Sequence, residues 1–202
     1  MTAQMQDTFI YKDEEWELVG INGQNFFSPE EHDLKPYGCC SACWGGYLCT
    51  FKIAYNKFVL DKLDINHATE KDGTIEMAEG PLLNGVKPEV MDMEHSLFNN
   101  HYKNLNYNLN FTGGILIAKN FIDDLYVHMG YPPPWKYKEV VELIIDNGNL
   151  QENRDVSKRM KEIRNKLKNS PLQPGIDASK IEIKTWIEES FKLDYNLDDE
   201  HY

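Results

Sequence analysis

The most regular alternation of apolar and polar residues in the chain places Tyr47, Cys49 and Phe51 on one face of an extended segment. A period of two is typical of a half-buried β-strand. After a polar connection at residues 55–57, a second apolar run follows at residues 58–65. The pattern therefore predicts a β-hairpin made of these two runs.

Strand-like patterns return later, after a long interruption. Residues 66–104 contain glycine or proline every few positions, which predicts an irregular insertion. Apolar residues then alternate with asparagines at residues 107–111, and a fully apolar run occupies residues 115–118. The glycine pair at residues 113–114 between them predicts a bulge or a close approach of two backbones.

The centre of the chain carries weaker signals. Residues 121–129 have helical spacing of apolar positions, with Asn120 as a candidate N-cap, and the proline run at residues 132–134 would end that helix. Residues 137–145 fit a helix or a strand equally well. Residues 146–149 fit a hairpin turn or a helix stop.

The last 50 residues change character. Residues 155–168 form an amphipathic helical pattern in which Val156, Met160 and Ile163 share a face opposite a row of lysines and arginines. A linker rich in proline follows, and residues 178–192 predict a second helix. The pattern ends in an acidic tail.

These patterns together predict an α+β fold, with a mostly antiparallel β-rich body at about residues 8–150 followed by two C-terminal α-helices. The predicted division is a body at residues 1–150, carrying the insertion at residues 66–104, and a helical appendage at residues 151–202 that packs on the body.

The net charge of the 202-residue chain is −12, and its pI is near 4.9. The first 100 residues hold 17 acidic and 7 basic groups, whereas residues 101–202 are nearly balanced. Such a surface disfavours nucleic acid as a partner, because phosphate binding needs clustered cations. The basic helix at residues 155–168 fits the acidic body or an acidic partner better.

The sequence predicts a cytoplasmic protein that does not enter a membrane. Residues 1–7 lack the basic and apolar regions of a secretory signal, and no apolar run approaches the length that crosses a bilayer. All four cysteines lie within residues 39–49, where disulfides would close loops too small to stabilise the fold appreciably. We therefore expect reduced thiols.

The cysteine cluster is the one candidate metal site. Cys39, Cys40 and Cys43 include a C-x-x-C spacing, but a structural zinc site usually needs a second pair of ligands at a distance. The sequence offers no such pair. We therefore predict no metal and no cofactor, with zinc at these cysteines as the alternative.

Candidate catalytic residues are Cys43, Asp124 and His128. Cys43 precedes a glycine bend that would expose its thiol, and His128 is the candidate base that would activate it. No rule of spacing brings these residues together, so buried structural roles for Cys43 and His128 remain an open alternative.

Aromatic residues beside rigid prolines predict a surface that binds a partner or a flat ligand. The alternative is a tightly packed aromatic corner of the core. The candidate partner-binding residues are Trp44, Tyr47, Tyr126, Tyr131 and Trp135.

No complete catalytic signature occurs in the sequence. The leading hypothesis is an acidic, non-enzymatic binding protein that recognises and neutralises a basic protein partner, as bacterial immunity proteins and antitoxins do. One alternative is a small enzyme with a pocket built from cysteine, histidine and aspartate. Another is a subunit of a larger assembly that docks through its C-terminal helices.

Overall fold

The computed structural model describes residues 2–38, 40–167, 171–175 and 177–197. The fold is α+β, with 42% strand and 17% helix, as the sequence predicted. The strands and α-helices are β1 Thr8–Tyr11, β2 Glu14–Gly23, β3 Tyr47–Ala54, β4 Lys57–Ile65, β5 Ala68–Lys71, β6 Thr74–Met77, β7 Glu89–Val90, β8 Asn100–Tyr102, β9 Tyr107–Asn108, β10 Gly113–Phe121, β11 Tyr137–Asp146, β12 Asn149–Asp155, α1 Ser157–Leu167 and α2 Lys180–Ser190.

One large sheet dominates the molecule. Its strand order is β12-β11-β10-β2-β1-β3-β4-β8-β7, with β9 also paired to β4. Among the described strands, β1 and β3 run parallel and the other pairs are antiparallel. The sheet curves until Asn149 of β12 pairs with Lys57 of β4. Strands β5 and β6 form a separate hairpin.

The predicted hairpin at residues 47–65 is confirmed as β3 and β4. Tyr55 and Asn56 connect the strands with φ angles of 49° and 68°, the left-handed conformation of a tight hairpin turn. Cys49 and Phe51 are buried, so the predicted inner face of β3 is also confirmed.

The concave side of the curved sheet encloses a core rich in aromatic rings. Phe9 and Phe58 stack at 5.9 Å between ring centroids, and Phe26 meets the edges of neighbouring rings. Helix α1 covers a second core on the convex side, where Met160 and Ile163 pack against Tyr137. The amphipathic pattern that predicted this helix is confirmed for Ser157–Leu167, whereas Lys168 lies outside the described residues.

The helix predicted at residues 121–129 is wrong. Strand β10 continues to Phe121, which pairs with Tyr137 of β11 and packs against its ring at 5.2 Å. The Ile122 N–H then donates to the Lys136 carbonyl, and a single 3-10 turn follows at Asp123–Leu125. Pairing with β11 therefore takes the backbone groups that a helix would have used.

The ambiguous segment at residues 137–145 is strand β11. Asn147 and Gly148, with φ angles of 46° and 72°, turn the chain into β12. The hairpin alternative for residues 146–149 is therefore the correct one. Strand β12 passes through residue 150, so the large sheet extends across the predicted boundary between body and appendage. The division into these two parts stays a prediction.

Helix α2 lies on the body without burying a side chain of its own. Its end is fixed by backbone contacts: the Tyr131 N–H donates to the Ser190 carbonyl at 2.7 Å, and the Ile21 N–H donates to the Leu193 carbonyl at 2.8 Å. Beyond the helix, Tyr195 is buried. Of the acidic tail predicted at residues 194–200, Asp194 forms a β-bridge with Ile21, and residues 198–200 lie outside the described residues. Neither α-helix in the described residues has the length and apolarity to span a bilayer.

Three buried asparagines hold the insertion against the edge of the large sheet, and we call them the amide network: Asn66, Asn99 and Asn100. The Asn99 side chain receives a hydrogen bond from the His67 N–H at 2.9 Å and donates to the His67 and Ala78 carbonyls. Asn100 donates to Ala78 and receives the Gly80 N–H at 2.8 Å. Asn66 donates to the Leu97 carbonyl. These bonds satisfy backbone groups that have no strand partner.

Replacing Asn99 by alanine tests the amide network. Because Asn99→Ala leaves the buried His67 N–H without its acceptor and removes one donor from each of the His67 and Ala78 carbonyls, we expect the free energy of unfolding to fall by about 2–3 kcal/mol. Urea denaturation followed by circular dichroism measures this change.

Asn153→Ala is the matched control, because Asn153 is exposed on β12. Its free energy of unfolding should stay within about 0.5 kcal/mol of the wild type. Equal losses for the two variants would show that the amide network does not contribute specifically.

Candidate functional site

Large apolar side chains are exposed along residues 68–97, and we call the solvent-facing side of this segment the insertion surface. Leu82 is 66% exposed and Ile75 is 55% exposed. Exposed apolar side chains concentrated on one segment often mark a binding surface. The exposed large apolar residues of the insertion surface are Ile75, Met77, Leu82, Val90, Met91, Met93 and Leu97.

The insertion surface is also acidic, with seven Asp or Glu residues and two Lys residues within residues 68–97. Lys87 pairs with Glu79 at 2.9 Å, and Lys103 pairs with Glu89 at 2.5 Å. The exposed carboxylates that form no ion pair with the described residues are Glu70, Asp72, Glu76, Asp92 and Glu94. Apolar and negatively charged side chains are therefore interspersed along the exposed part of this segment.

Buried side chains and a tyrosine hydroxyl anchor the insertion surface in addition to the amide network. Leu83 and Phe98 are buried beneath it, and the Tyr102 hydroxyl donates to the Pro81 carbonyl at 2.7 Å. These contacts hold the backbone at residues 78–83 and 97–102 against the large sheet, which lowers the entropy lost when a partner binds there.

A small cavity of about 110 Å³ lies at the other candidate site, and we call it the Asp7 cavity. It is lined by Asp7 together with Cys43, Trp44, Tyr47 and Tyr131. The Asp7 Oδ1 atom accepts the Cys49 N–H at 2.7 Å. Four residues singled out from the sequence as catalytic or partner-binding candidates therefore meet around a carboxyl group that sequence reasoning missed.

Burial changes the titration of the groups around the Asp7 cavity. It raises the pKa of Asp7 to about 6, against the opposing effect of the Cys49 N–H. Burial also raises the pKa of the Cys49 thiol and of the Tyr47 and Tyr131 hydroxyls, with the negative charge of Asp7 adding to each effect. The thiol and both hydroxyls therefore stay protonated near neutral pH, which makes them donors rather than nucleophiles.

The cysteine cluster has the geometry of a turn. The Cys43 N–H donates to the Cys40 carbonyl at 3.2 Å, and the buried Cys43 thiol donates to the Tyr47 carbonyl at 3.5 Å. Cys40 is exposed, and Cys39 lies outside the described residues. Within the described part of the chain, no three His, Cys, Asp or Glu side chains come close enough to hold a metal ion. The absence of a metal stays a prediction.

The candidate catalytic residues are distributed over different places. Cys43 lines the Asp7 cavity, whereas Asp124 is exposed in the turn after β10. His128 is exposed, and its Nδ1 atom lies 2.8 Å from the Tyr126 hydroxyl. The structure thus gives the His128 ring and the Cys43 thiol different hydrogen-bond partners, and their catalytic roles stay a prediction.

The candidate partner-binding aromatics also separate into groups. Trp44 is 57% exposed and stacks on Phe191 with 5.3 Å between ring centroids, and Tyr126 is 54% exposed. Tyr47 lies on the Asp7 cavity. Trp135 lines a larger cavity of about 600 Å³ beside α2, and Tyr131 contributes to both cavities. Trp44 and Tyr126 are therefore the members of this set with the most surface open to a partner.

No family model matches the chain, and no curated protein or solved structure matches it significantly.

Sequence reasoning missed two features of these sites. The alternation of Met91 and Met93 with Asp92 and Glu94 is a visible signal for the insertion surface, because methionine next to carboxylates is unusual for a buried segment. Asp7 has no such signal. Its burial depends on the approach of β3, which is distant in the sequence.

Asp7→Asn tests the environment of the Asp7 cavity. Because the folded-state pKa of Asp7 lies above the usual value of 3.8, ionisation opposes folding. The free energy of unfolding therefore falls as pH rises from about 4 to about 6 and stays low above that range. At about pH 7, the free energy of unfolding of Asp7→Asn should be about 1–3 kcal/mol higher than that of the wild type. Urea denaturation at several pH values measures this difference.

Asp13→Asn is the matched control, since it removes one negative charge from an exposed turn. It should leave the pH dependence of stability unchanged. If both variants followed the wild-type profile, Asp7 would not be the group that titrates with a raised pKa.

Proposed function

We propose that this protein is an acidic binding protein of the cytoplasm that recognises a basic protein and neutralises it, in the manner of immunity proteins and antitoxins. The insertion surface is the docking site in this proposal. The observation that supports it is the exposure of seven large apolar side chains near five carboxylates that form no ion pair with the described residues, on a segment held by the amide network.

The charge of the insertion surface selects the kind of partner. Carboxylates such as Glu76, Asp92 and Glu94 attract a positively charged surface over a distance of about 10 Å, and they repel acidic proteins. Once the surfaces touch, the apolar groups supply most of the affinity, because burying them removes apolar area from water. The methionines suit this role, since a flexible thioether adapts to the shape of the partner.

Neutralisation requires that the bound protein loses access to its own target. A rigid acidic surface placed over a cationic active site or a cationic substrate-binding cleft would block it directly. The exposed rings of Trp44 and Tyr126 are additional candidate contacts, because aromatic side chains are common anchors of protein interfaces.

Helix α2 offers the main alternative docking site, because Ile181 is 78% exposed and Ile183 is 39% exposed. This observation favours the hypothesis of an assembly subunit. Helix α1 is less suited to that role, since its apolar face is already buried against the sheet.

The test compares capture of proteins by the wild type and by a charge variant of the insertion surface. Immobilised wild type in a native lysate at low salt should retain a protein of basic pI that high salt releases, because salt screens the attraction. The triple variant Glu76→Gln, Asp92→Asn and Glu94→Gln should bind the purified partner at least about tenfold more weakly in a titration.

A control with the same change in net charge is Glu15→Gln, Glu31→Gln and Asp123→Asn, three exposed positions outside the insertion surface. It should bind the partner as the wild type does. Equal weakening by both triple variants would contradict the proposal. Loss of binding in Ile181→Ser, together with unchanged binding by the triple variant of the insertion surface, would also contradict it and would favour docking through α2.

A further inference from the structure

A cavity of about 600 Å³ lies beside α2 at the end of the proline run, and we call it the Lys136 cavity. Its volume is in the range of pockets that hold a small organic molecule. Pro133, Pro134, Trp135 and Lys136 form one side, and Trp186 of α2 lies on another. None of these residues belongs to the insertion surface.

Lys136 is a buried cation in the wall of this cavity. It is 6% exposed, and its Nζ atom lies 5.4 Å from the centroid of the Trp135 ring. No carboxylate or other hydrogen-bond acceptor of the described residues contacts the Nζ atom. Burial without a counter-ion lowers the pKa of Lys136 to about 8. Buried ammonium groups are normally paired, and none of the described residues supplies a negative partner for this one.

The backbone around Lys136 is held in place. Arg164 of α1 donates from Nε to the Trp135 carbonyl at 2.7 Å and from Nη2 to the Tyr137 carbonyl at 2.6 Å. The Lys136 N–H donates to the Pro133 carbonyl at 3.0 Å. Because proline fixes its own φ angle and the guanidinium fixes the carbonyls on both sides, the backbone that carries Lys136 is held in place before any ligand arrives.

The other charges on the cavity leave a positive excess. Glu189 pairs with Lys192 at 2.7 Å, and the negative charge of Asp194 also acts on Lys192. Lys166 lines the cavity as well, and it forms no ion pair with the described residues. Since Glu189 and Lys192 offset each other, Lys136 and Lys166 against Asp194 leave an excess of one positive charge for a ligand to meet.

The rings on the cavity wall define the rest of the ligand. Trp135, Trp186 and Tyr131 offer aromatic surface, and Val127 and Leu172 offer aliphatic surface. Flat apolar groups pack well against such walls. Helix α2, which has no fully buried side chain, forms part of the cavity.

We propose that the Lys136 cavity binds a small organic anion with a flat apolar or aromatic body, whose acid group pairs with the Lys136 ammonium. Lys166 adds to the attraction, and Trp135 and Trp186 pack against the apolar body. The site is separate from the proposed docking of a protein, so either proposal can fail without the other.

Two dyes of similar shape test the proposal. 8-Anilinonaphthalene-1-sulfonate carries a negative charge, whereas N-phenyl-1-naphthylamine has the same ring system and no charge. Fluorescence titration of the wild type should show one saturable site for each dye. Lys136→Met, which keeps an apolar side chain of similar length, should weaken binding of the sulfonate at least about tenfold and leave the neutral dye nearly unchanged.

Lys138→Met is the matched control, because Lys138 is exposed on β11 and its substitution removes the same positive charge. It should bind both dyes as the wild type does. Trp186→Leu should weaken both dyes, since it removes a ring from the wall, and it provides a second readout if Lys136→Met does not fold. Unchanged binding of the sulfonate by Lys136→Met, or unchanged binding of both dyes by Trp186→Leu, would overturn the proposal.

Discussion

The amide side chains of Asn66, Asn99 and Asn100 do at the edge of the large sheet what a neighbouring strand does elsewhere. They bond to backbone groups of His67, Ala78, Gly80 and Leu97, residues that lie outside the strands. Without these bonds the insertion would have to expose those groups to water or leave them unsatisfied. The position of the insertion backbone, and hence the proposed use of the insertion surface as a docking site, depends on them.

The same constraint explains how apolar side chains can remain exposed on an ordered segment. The insertion buries few of its own side chains, so the hydrophobic effect alone would hold it weakly. Leu83 and Phe98 provide two buried anchors, and the amide network adds directional bonds that fix its orientation. The remaining apolar groups are therefore available to a partner.

Local periodicity was sufficient to predict some elements and failed for others. The hairpin of β3 and β4 was predicted from alternation and a polar turn, and α1 was predicted from apolar spacing. Both elements depend on residues that are close together in the sequence. Residues 121–129 show the limit. Their helical spacing is real, but Phe121 pairs with Tyr137 across the sheet, and a sequence pattern does not reveal that partner.

The candidate sites were predictable to a similar extent. Cys43, Trp44, Tyr47 and Tyr131 were recognised by residue type, and the Asp7 cavity brings them together. Asp7 itself was not predictable, since its raised pKa arises from contact with a distant strand. The Lys136 cavity was equally hidden, because an isolated lysine after prolines resembles any surface cation until α1 and α2 are placed around it.

The pairing of β2 with β10 also has a consequence for synthesis of the chain on the ribosome. β2 is complete at Gly23, yet the strand beside it does not end until Phe121. The edge of the nascent sheet therefore stays open while most of the first half of the chain is translated. During that interval its unpaired backbone groups are accessible to strands of other chains, and a chaperone that shields this edge would act before β10 emerges.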